Sequence, residues 1–350
     1  MNANRKSIVY AVLAALLYGM STPLLKPLTG AVDAAMLSGL LYLGAGLGMA
    51  AMGAGQRALG RPRAEARLSR ADLPAAAAMV VLDIAAPVAL MAGLARGSAA
   101  EAALLGNFEI VSTSLVAALL FREAVGLRQW AVIALVCVAS AMLSTGSFAG
   151  MSFSAGSLLV LLAAALWGLE NNCTRLLSLK DPAQVVVIKG IGSGLGALAL
   201  ALALGQHFPP LHLAALAMLL GFVCYGLSIF FYVRAQRDLG ASRASAYYAL
   251  APFLGVAAAL ALLREPVTAW FWLAAVLMAG ATALAVTERH GHAHVHAPVT
   301  HEHAHSHDDA HHGHAHGEPA PPQHSHAHCH EALAHDHEHL PDAHHHHNHK

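Results

Sequence analysis

Charge is what this sequence is short of. Asp, Glu, Lys and Arg make up 11% of its 350 residues, where a soluble domain carries about 25%. So thin a supply does not cover a water-facing surface, but it suits one that faces lipid. Neither sign is in excess, since 20 basic residues meet 20 acidic ones. The electrostatic footprint of a nucleic-acid-binding protein is therefore missing. Cysteine is scarce as well. Cys137, Cys173, Cys224 and Cys329 form no CxxC pair, and the first three lie inside apolar runs, where a thiol serves as a small hydrophobe. No disulfide framework is expected. A catalytic triad, a phosphate-binding loop and an HExxH pattern are also absent, so the sequence does not read as an enzyme.

What is present is hydrophobic length. The chain is 57% hydrophobic with a mean hydropathy of +0.53. A membrane helix needs about 20 apolar residues, and such stretches occur at 8–28, 34–54, 75–95, 100–121, 129–146, 156–176, 184–204, 213–233, 244–263 and 268–287. The expected fold is an all-α membrane protein of ten transmembrane helices. The basic start and apolar run of the N-terminus resemble a signal peptide. The run continues to Leu28 without an A-x-A site, so a retained first helix is expected. Arg and Lys set the orientation. With the N-terminus inside, Arg57, Arg61, Arg63, Arg67, Arg70, Arg122, Arg128, Arg234, Arg237 and Arg243 are all cytoplasmic, while the outer loops hold Arg96 and Arg264. An even helix count places the C-terminus inside too, in a cell (inner) membrane.

The chain also repeats itself. Leu120-Phe121-Arg122-Glu123-Ala124-Val125 recurs as Leu262-Leu263-Arg264-Glu265-Pro266-Val267, and Tyr18-Gly19 recurs as Trp167-Gly168. The ladder of Gly44, Gly46 and Gly48 recurs as Gly192, Gly194 and Gly196; such small residues let membrane helices approach closely. Five helices per copy is an odd number, so the copies enter from opposite sides as inverted repeats, a transporter architecture. The expected divisions are 1–147, 148–289 and a tail of 290–350.

YGMSTPLLK in the first helix, WGLENNCTR in the sixth and the FREAV and LREPV helix ends resemble the drug/metabolite transporter superfamily, and within it the EamA-type transporters with two five-helix repeats. The resemblance covers residues 8 to about 287. It implies a transporter of amino acids, other metabolites or drugs, often ion-coupled, and leaves substrate and direction open. One departure is visible: Ile110 stands where the second repeat has Pro252.

After Arg289 the composition changes. All but two of the 26 histidines, His207 and His212, lie in the tail. They alternate with other residues, as in His301-x-His303-x-His305-x-His307, and nothing apolar recurs for a core, so a disordered segment is expected. Neutral imidazoles bind Zn, Ni, Co or Cu. The candidate ligands are His301, His303, His305, His307, His326, His328 and His330, with Cys329 as a softer one. No cofactor is required for transport itself.

Ionisable groups inside a membrane are costly and by default functional. Glu109, beside Asn107 in the fourth helix, and Asp83 in the third are candidates for binding a proton, a cation or a substrate amine; the bland alternative is a carboxyl bonded to a neighbouring helix. Ser21-Thr22-Pro23 in the first helix and Glu170-Asn171-Asn172 in the sixth fall at matching places and point to the binding site. Tyr18, Trp167, Tyr247 and Tyr248 are candidate cavity residues. Glu170 and Lys189 are expected to form a structural ion pair, and Lys26 to snorkel to the interface. The leading functional reading is a carrier of small metabolites in a lipid bilayer. The alternatives are a divalent-metal carrier (Ni, Co or Zn) using the tail as an antenna, and a metal-sensing membrane protein. Oligomeric state stays open.

Overall fold

The computed structural model describes residues 3–58, 68–120, 126–145, 154–177, 180–239, 244 and 247–287, together with the tail backbone at 290–296, 299–305, 324–330 and 333–339. FREAV beyond Leu120 lies outside these residues, as do Arg61, Arg63, Arg67, Arg122, Arg243 and His307.

The body is helical: α1 (Ala3–Gly19), α2 (Ser21–Leu25), α3 (Ala34–Ala58), α4 (Leu73–Arg96), α5 (Ala99–Leu105), α6 (Phe108–Leu120), α7 (Leu127–Thr145), α8 (Ala155–Arg175), α9 (Pro182–Ala203), α10 (Leu211–Leu220), α11 (Ser228–Leu239), α12 (Ala251–Ala258) and α13 (Ala269–Val286). Among the described residues, eight helices or continuous helical runs are long and apolar enough to cross a membrane. The stretches expected at 100–121 and 244–263 are not among them. The first divides into α5 and α6 at Gly106-Asn107, where the Asn107 amide donates to the Leu104 carbonyl at 3.1 Å and competes with helix continuation. The second is a short run, Ala251–Leu263, entered through a turn at Ala249-Leu250.

Two further irregularities follow from sequence. The first helix turns at Met20, and Pro23 has no N–H for the Gly19 carbonyl. The helix of α10 and α11 carries a π-helical segment, Gly221–Leu227, between them; such segments gather at functional sites.

Apolar side chains lie on both sides of the bundle wall. Met36, Leu37, Leu41, Met91, Leu94, Leu104 and Met278 are buried, while Val81, Leu119, Leu202, Trp272 and Val276 are exposed. Exposed apolar surface of this kind belongs against hydrocarbon. α3 packs on α9, α4 on α8, α1 on α11, α7 on α13, α6 on α8 and α1 on α12. Each glycine ladder serves two neighbours, because residues two apart on a helix point to roughly opposite sides. Gly46 meets the Gly190-Ile191 backbone of α9, whereas Gly44 meets the backbone of α10, where a Cβ would lie 2.0 Å from the Met218 carbonyl oxygen. The reciprocal contact is Gly221, whose Cβ would lie 1.9 Å from the Leu41 carbonyl oxygen. Gly221→Ala therefore separates two backbones. It is expected to cost about 1–3 kcal/mol and to lower the unfolding midpoint in detergent. Gly280→Ala, with open space around its Cβ, is the control that leaves the midpoint unchanged or raised.

In the tail, β1 (His290–His296) pairs antiparallel with β4 (Leu333–His339), and β2 (Val299–His305) with β3 (His324–His330). His301 and His328 are opposite in register, as are His303 with His326. The physical source is the His-x-His alternation itself, which has the period of a strand. Two-stranded ribbons with no core are only marginally stable on their own.

Candidate functional site

The helix breaks converge. A cavity of about 170 Å³ opens where the first helix turns, where α5 passes to α6 and where the turn before α12 lies. From the first half, Tyr18, Ser21, Thr22, Asn107, Glu109 and Ile110 line it; from the second, Trp167, Tyr225, Tyr248 and Pro252. Tyr18, Ser21, Thr22, Asn107, Glu109, Trp167 and Tyr248 were all legible as candidates in the sequence. Tyr225 was not. It comes from the π-helical segment, and only its neighbour Gly226 hinted at a local irregularity.

The Tyr-Gly and Trp-Gly pairs have one job in two places. Tyr18 and Trp167 face the cavity, and the glycine that follows each lets a broken helix close in. A Cβ at Gly19 would lie 2.4 Å from the Ala251 carbonyl oxygen, and one at Gly168 would lie 2.4 Å from Ser112 Cβ.

Glu109 sits in the first turn of α6, where the helix dipole favours a negative charge. Its carboxylate accepts a hydrogen bond from Asn171 Nδ2 at 2.5 Å. Among the described residues, no Lys, Arg or His lines the cavity. Asn171 itself is outside the lining and touches it through its hydrogen bond to Glu109. Asn172 donates to the Gly168 carbonyl at 2.9 Å and the Thr113 carbonyl at 3.2 Å, tying α8 to α6. Three tyrosine rings gather at the same place: Tyr18 and Tyr248 have centroids 5.6 Å apart, and Tyr18 and Tyr225 6.0 Å.

Asp83 and Glu170 are outside the cavity lining but close behind it, in a buried triad with Lys189, and Glu170 and Lys189 act electrostatically on Glu109. The ammonium sits 3.0 Å from Asp83 Oδ2 and 3.0 Å from Glu170 Oε2. The sequence reading paired Lys189 with Glu170 and placed Asp83 apart; one cation in fact holds both. Both carboxylates are 1% exposed. Tyr42 donates to Asp83 Oδ1 at 3.2 Å, and Thr174 donates to Glu170 Oε1. The signal available in sequence was the shortage of intramembrane cations: a lone lysine in an apolar helix must serve whichever carboxylates reach it. The triad adjoins the cavity through Tyr42, whose ring lies 5.9 Å from that of Tyr225.

Two charged residues turn out to be helix caps. Lys26 was expected to snorkel to the interface. Its ammonium instead donates to the Leu94 and Gly97 carbonyls at the C-terminal end of α4, where unpaired carbonyls and the dipole favour a cation. Glu265 of the LREPV motif accepts from the Ser98 hydroxyl at 2.6 Å and from the Ala99 and Ala100 amides at 2.8 and 2.9 Å. It thereby satisfies the N-terminus of α5 from the other half of the chain. Tyr247 packs with Ala11, Ala235 and Ala244 and is not among the cavity residues.

The family model for EamA-like transporters matches residues 5–145 and again 154–287. A protein of Methanothermobacter thermautotrophicus, described as an uncharacterized transporter, is 30% identical over 211 residues, 58% of this chain and 61% of that protein. The chain thus spans about three-fifths of that relative's length. A solved crystal structure of a protein superposes on 80% of this chain and 95% of its own, with a TM-score of 0.57 and 16% identity, a likeness of fold alone.

Proposed function

The chain belongs to the EamA-like transporter family, and from that premise we propose that it carries small metabolites across a cell membrane by alternating access, with the cavity at the converging helix breaks as the substrate site. The observation that carries this reading is the cavity's make-up: a carboxylate and aromatic rings drawn from both parts of the chain, at three helix interruptions. Interrupted helices around a central site are how transporters expose polar groups inside a bilayer. At about 170 Å³ the cavity is below the ~300–1,000 Å³ of pockets for drug-sized ligands, which favours a solute of a few heavy atoms.

The neighbour pattern supports two inverted repeats of five helices over 1–147 and 148–289. Exchanging each helix with its counterpart in the other repeat turns the α4–α8 contact into α11–α1 and the α6–α8 contact into α12–α1, while α3–α9 and α7–α13 map onto themselves. All four contacts exist. The arginine bias supports both termini on the cytoplasmic side. Reporters fused at Lys350 that are active only inside should score; activity of an outside-only reporter would mean an odd number of crossings.

The test of transport is uptake and efflux in sealed vesicles, screening amines, amino acids and Zn, Ni and Co with and without a pH gradient. Flux of any small organic solute that depends on the protein supports the reading; none in either direction across the panel counts against it.

The tail supports a separate proposal, that its alternating histidines and Cys329 bind Zn, Ni, Co or Cu without sharing in transport. Truncation after Arg289 removes nearly every imidazole and no membrane helix. Metal bound per chain should fall almost to zero and metabolite flux should persist. Full metal binding by the truncated chain would place the ligands elsewhere, and a matching loss of metal flux would favour a metal carrier.

A further inference from the structure

We infer that the cavity selects a compact organic ammonium ion, a primary or secondary amine without a carboxylate of its own. The inference rests on the cavity being the substrate site.

Four observations carry it. The first is an uncompensated charge. Glu109 lines the cavity with Asn171 as the one described hydrogen-bond partner of its carboxylate, and no cationic side chain among the described residues lines the wall. A carboxylate out of bulk water needs an opposite charge as well as a hydrogen bond. Asp83 and Glu170 hold Lys189 in direct contacts at 3.0 Å each. That one cation also acts on Glu109 from a distance, but it is already shared between two carboxylates, so Glu109 is left without a contacting cation among the described residues.

The second is the aromatic lining that shares the cavity with that charge. Tyr18, Tyr225, Tyr248 and Trp167 line one small space, with the Tyr18 ring 5.6 Å from that of Tyr248 and 6.0 Å from that of Tyr225. Aromatic faces attract cations and accept the apolar carbons beside them. The third is an unused hydroxyl. Thr22 Oγ1 is buried at the cavity wall with no hydrogen-bond partner among the described residues. An N–H-bearing ammonium supplies a donor to it, and a quaternary one does not. The fourth is what is missing for an anion. The first turn of α6, the natural place for a substrate carboxylate, is taken by Glu109 itself. A zwitterion would therefore bring its carboxylate to a site that repels it.

The experiment is calorimetric titration of the detergent-purified full chain with three probes of matched size: isobutylammonium, the neutral isobutanol and the anionic isovalerate. Isobutylammonium should bind, with both other probes at least about tenfold weaker. Glu109→Gln should weaken the amine at least about tenfold, and Glu109→Asp should retain most of the affinity. Tyr248→Leu should weaken the amine by a larger factor than it weakens isobutanol. Failure of isobutylammonium to bind, equal binding of isobutanol, or full amine affinity in a folded Glu109→Gln chain would each overturn the inference. The ratio of amine to alcohol in the unaltered protein needs no variant, so a misfolded mutant does not blunt the test. Amine binding without flux in vesicles would sink the transport reading and leave this one standing; flux of a neutral or anionic solute without amine binding would do the reverse.

Discussion

Glu109→Gln is expected to reduce substrate flux in vesicles at least about thirtyfold while leaving the folded protein in the membrane. Gln keeps the volume of Glu and can still hydrogen-bond to Asn171. What it loses is the charge and the ability to exchange a proton. Removing one partner of a desolvated charge contact costs about 2–5 kcal/mol, which corresponds to that factor or more. The position explains why little else should change: Glu109 makes no direct ion pair among the described residues, and its described hydrogen bond, from Asn171 at 2.5 Å, survives in altered form. Asn171→Ala is the milder companion. It leaves the carboxylate in place without its donor, and a hydrogen bond to a charged group contributes about 1.5–3 kcal/mol, so flux should fall less than in the Gln variant. Near-normal gradient-driven flux in Glu109→Gln, measured at equal protein in the bilayer, would remove this residue from the mechanism.

Lys189→Met should have the opposite profile: a large loss of stability before any question of transport arises. The substitution leaves Asp83 and Glu170, each 1% exposed, facing one another with no cation between them. Breaking a buried ion pair from one side costs about 3–5 kcal/mol. The hydroxyls of Tyr42 and Thr174 remain, but they do not replace a charge. The loss should appear as a lower midpoint of unfolding in detergent and less protein in the membrane. Replacing all three residues together, as Asp83→Leu, Lys189→Met and Glu170→Leu, removes every charge and should recover most of that stability. Whether the recovered protein still transports then separates two roles. Retained flux makes the triad a structural clamp joining α4, α8 and α9; lost flux in a stable triple variant makes it part of the coupling machinery.

How far the sequence anticipated this molecule depends on the physics of each feature. Hydrophobic runs of membrane-spanning length were readable because a bilayer imposes them on any chain that crosses it. So was most of the cavity wall: intramembrane Glu109, the Ser21-Thr22-Pro23 interruption and the aromatic of each aromatic-glycine pair are all expensive or unusual in lipid. The break at Gly106-Asn107 was not anticipated because the run around it stays apolar, and the cost of interruption is met by an Asn107 side-chain bond that leaves no hydropathy signal. Tyr225 was missed for a related reason, since a π-helical turn shifts register without changing composition. Lys26 and Glu265 were visible as charges, but their roles depend on which helix end each one reaches, and that is a long-range fact. Asp83 looked like a cavity residue because depth in the membrane can be counted from sequence, whereas the direction a side chain faces across a bundle cannot.

Alternating access, as proposed, requires that one cavity be reached in turn from each side of the membrane. Ala249 lines it beside Tyr248. In a chain with Cys137, Cys173, Cys224 and Cys329 replaced by serine, Ala249→Cys provides a single thiol at that wall. A membrane-impermeant thiol reagent applied to oriented vesicles from the outside alone, and then from the inside alone, reads access directly. Modification from both sides is expected, with substrate changing the balance between the two rates. Modification from one side only, unchanged by substrate, would contradict alternating access.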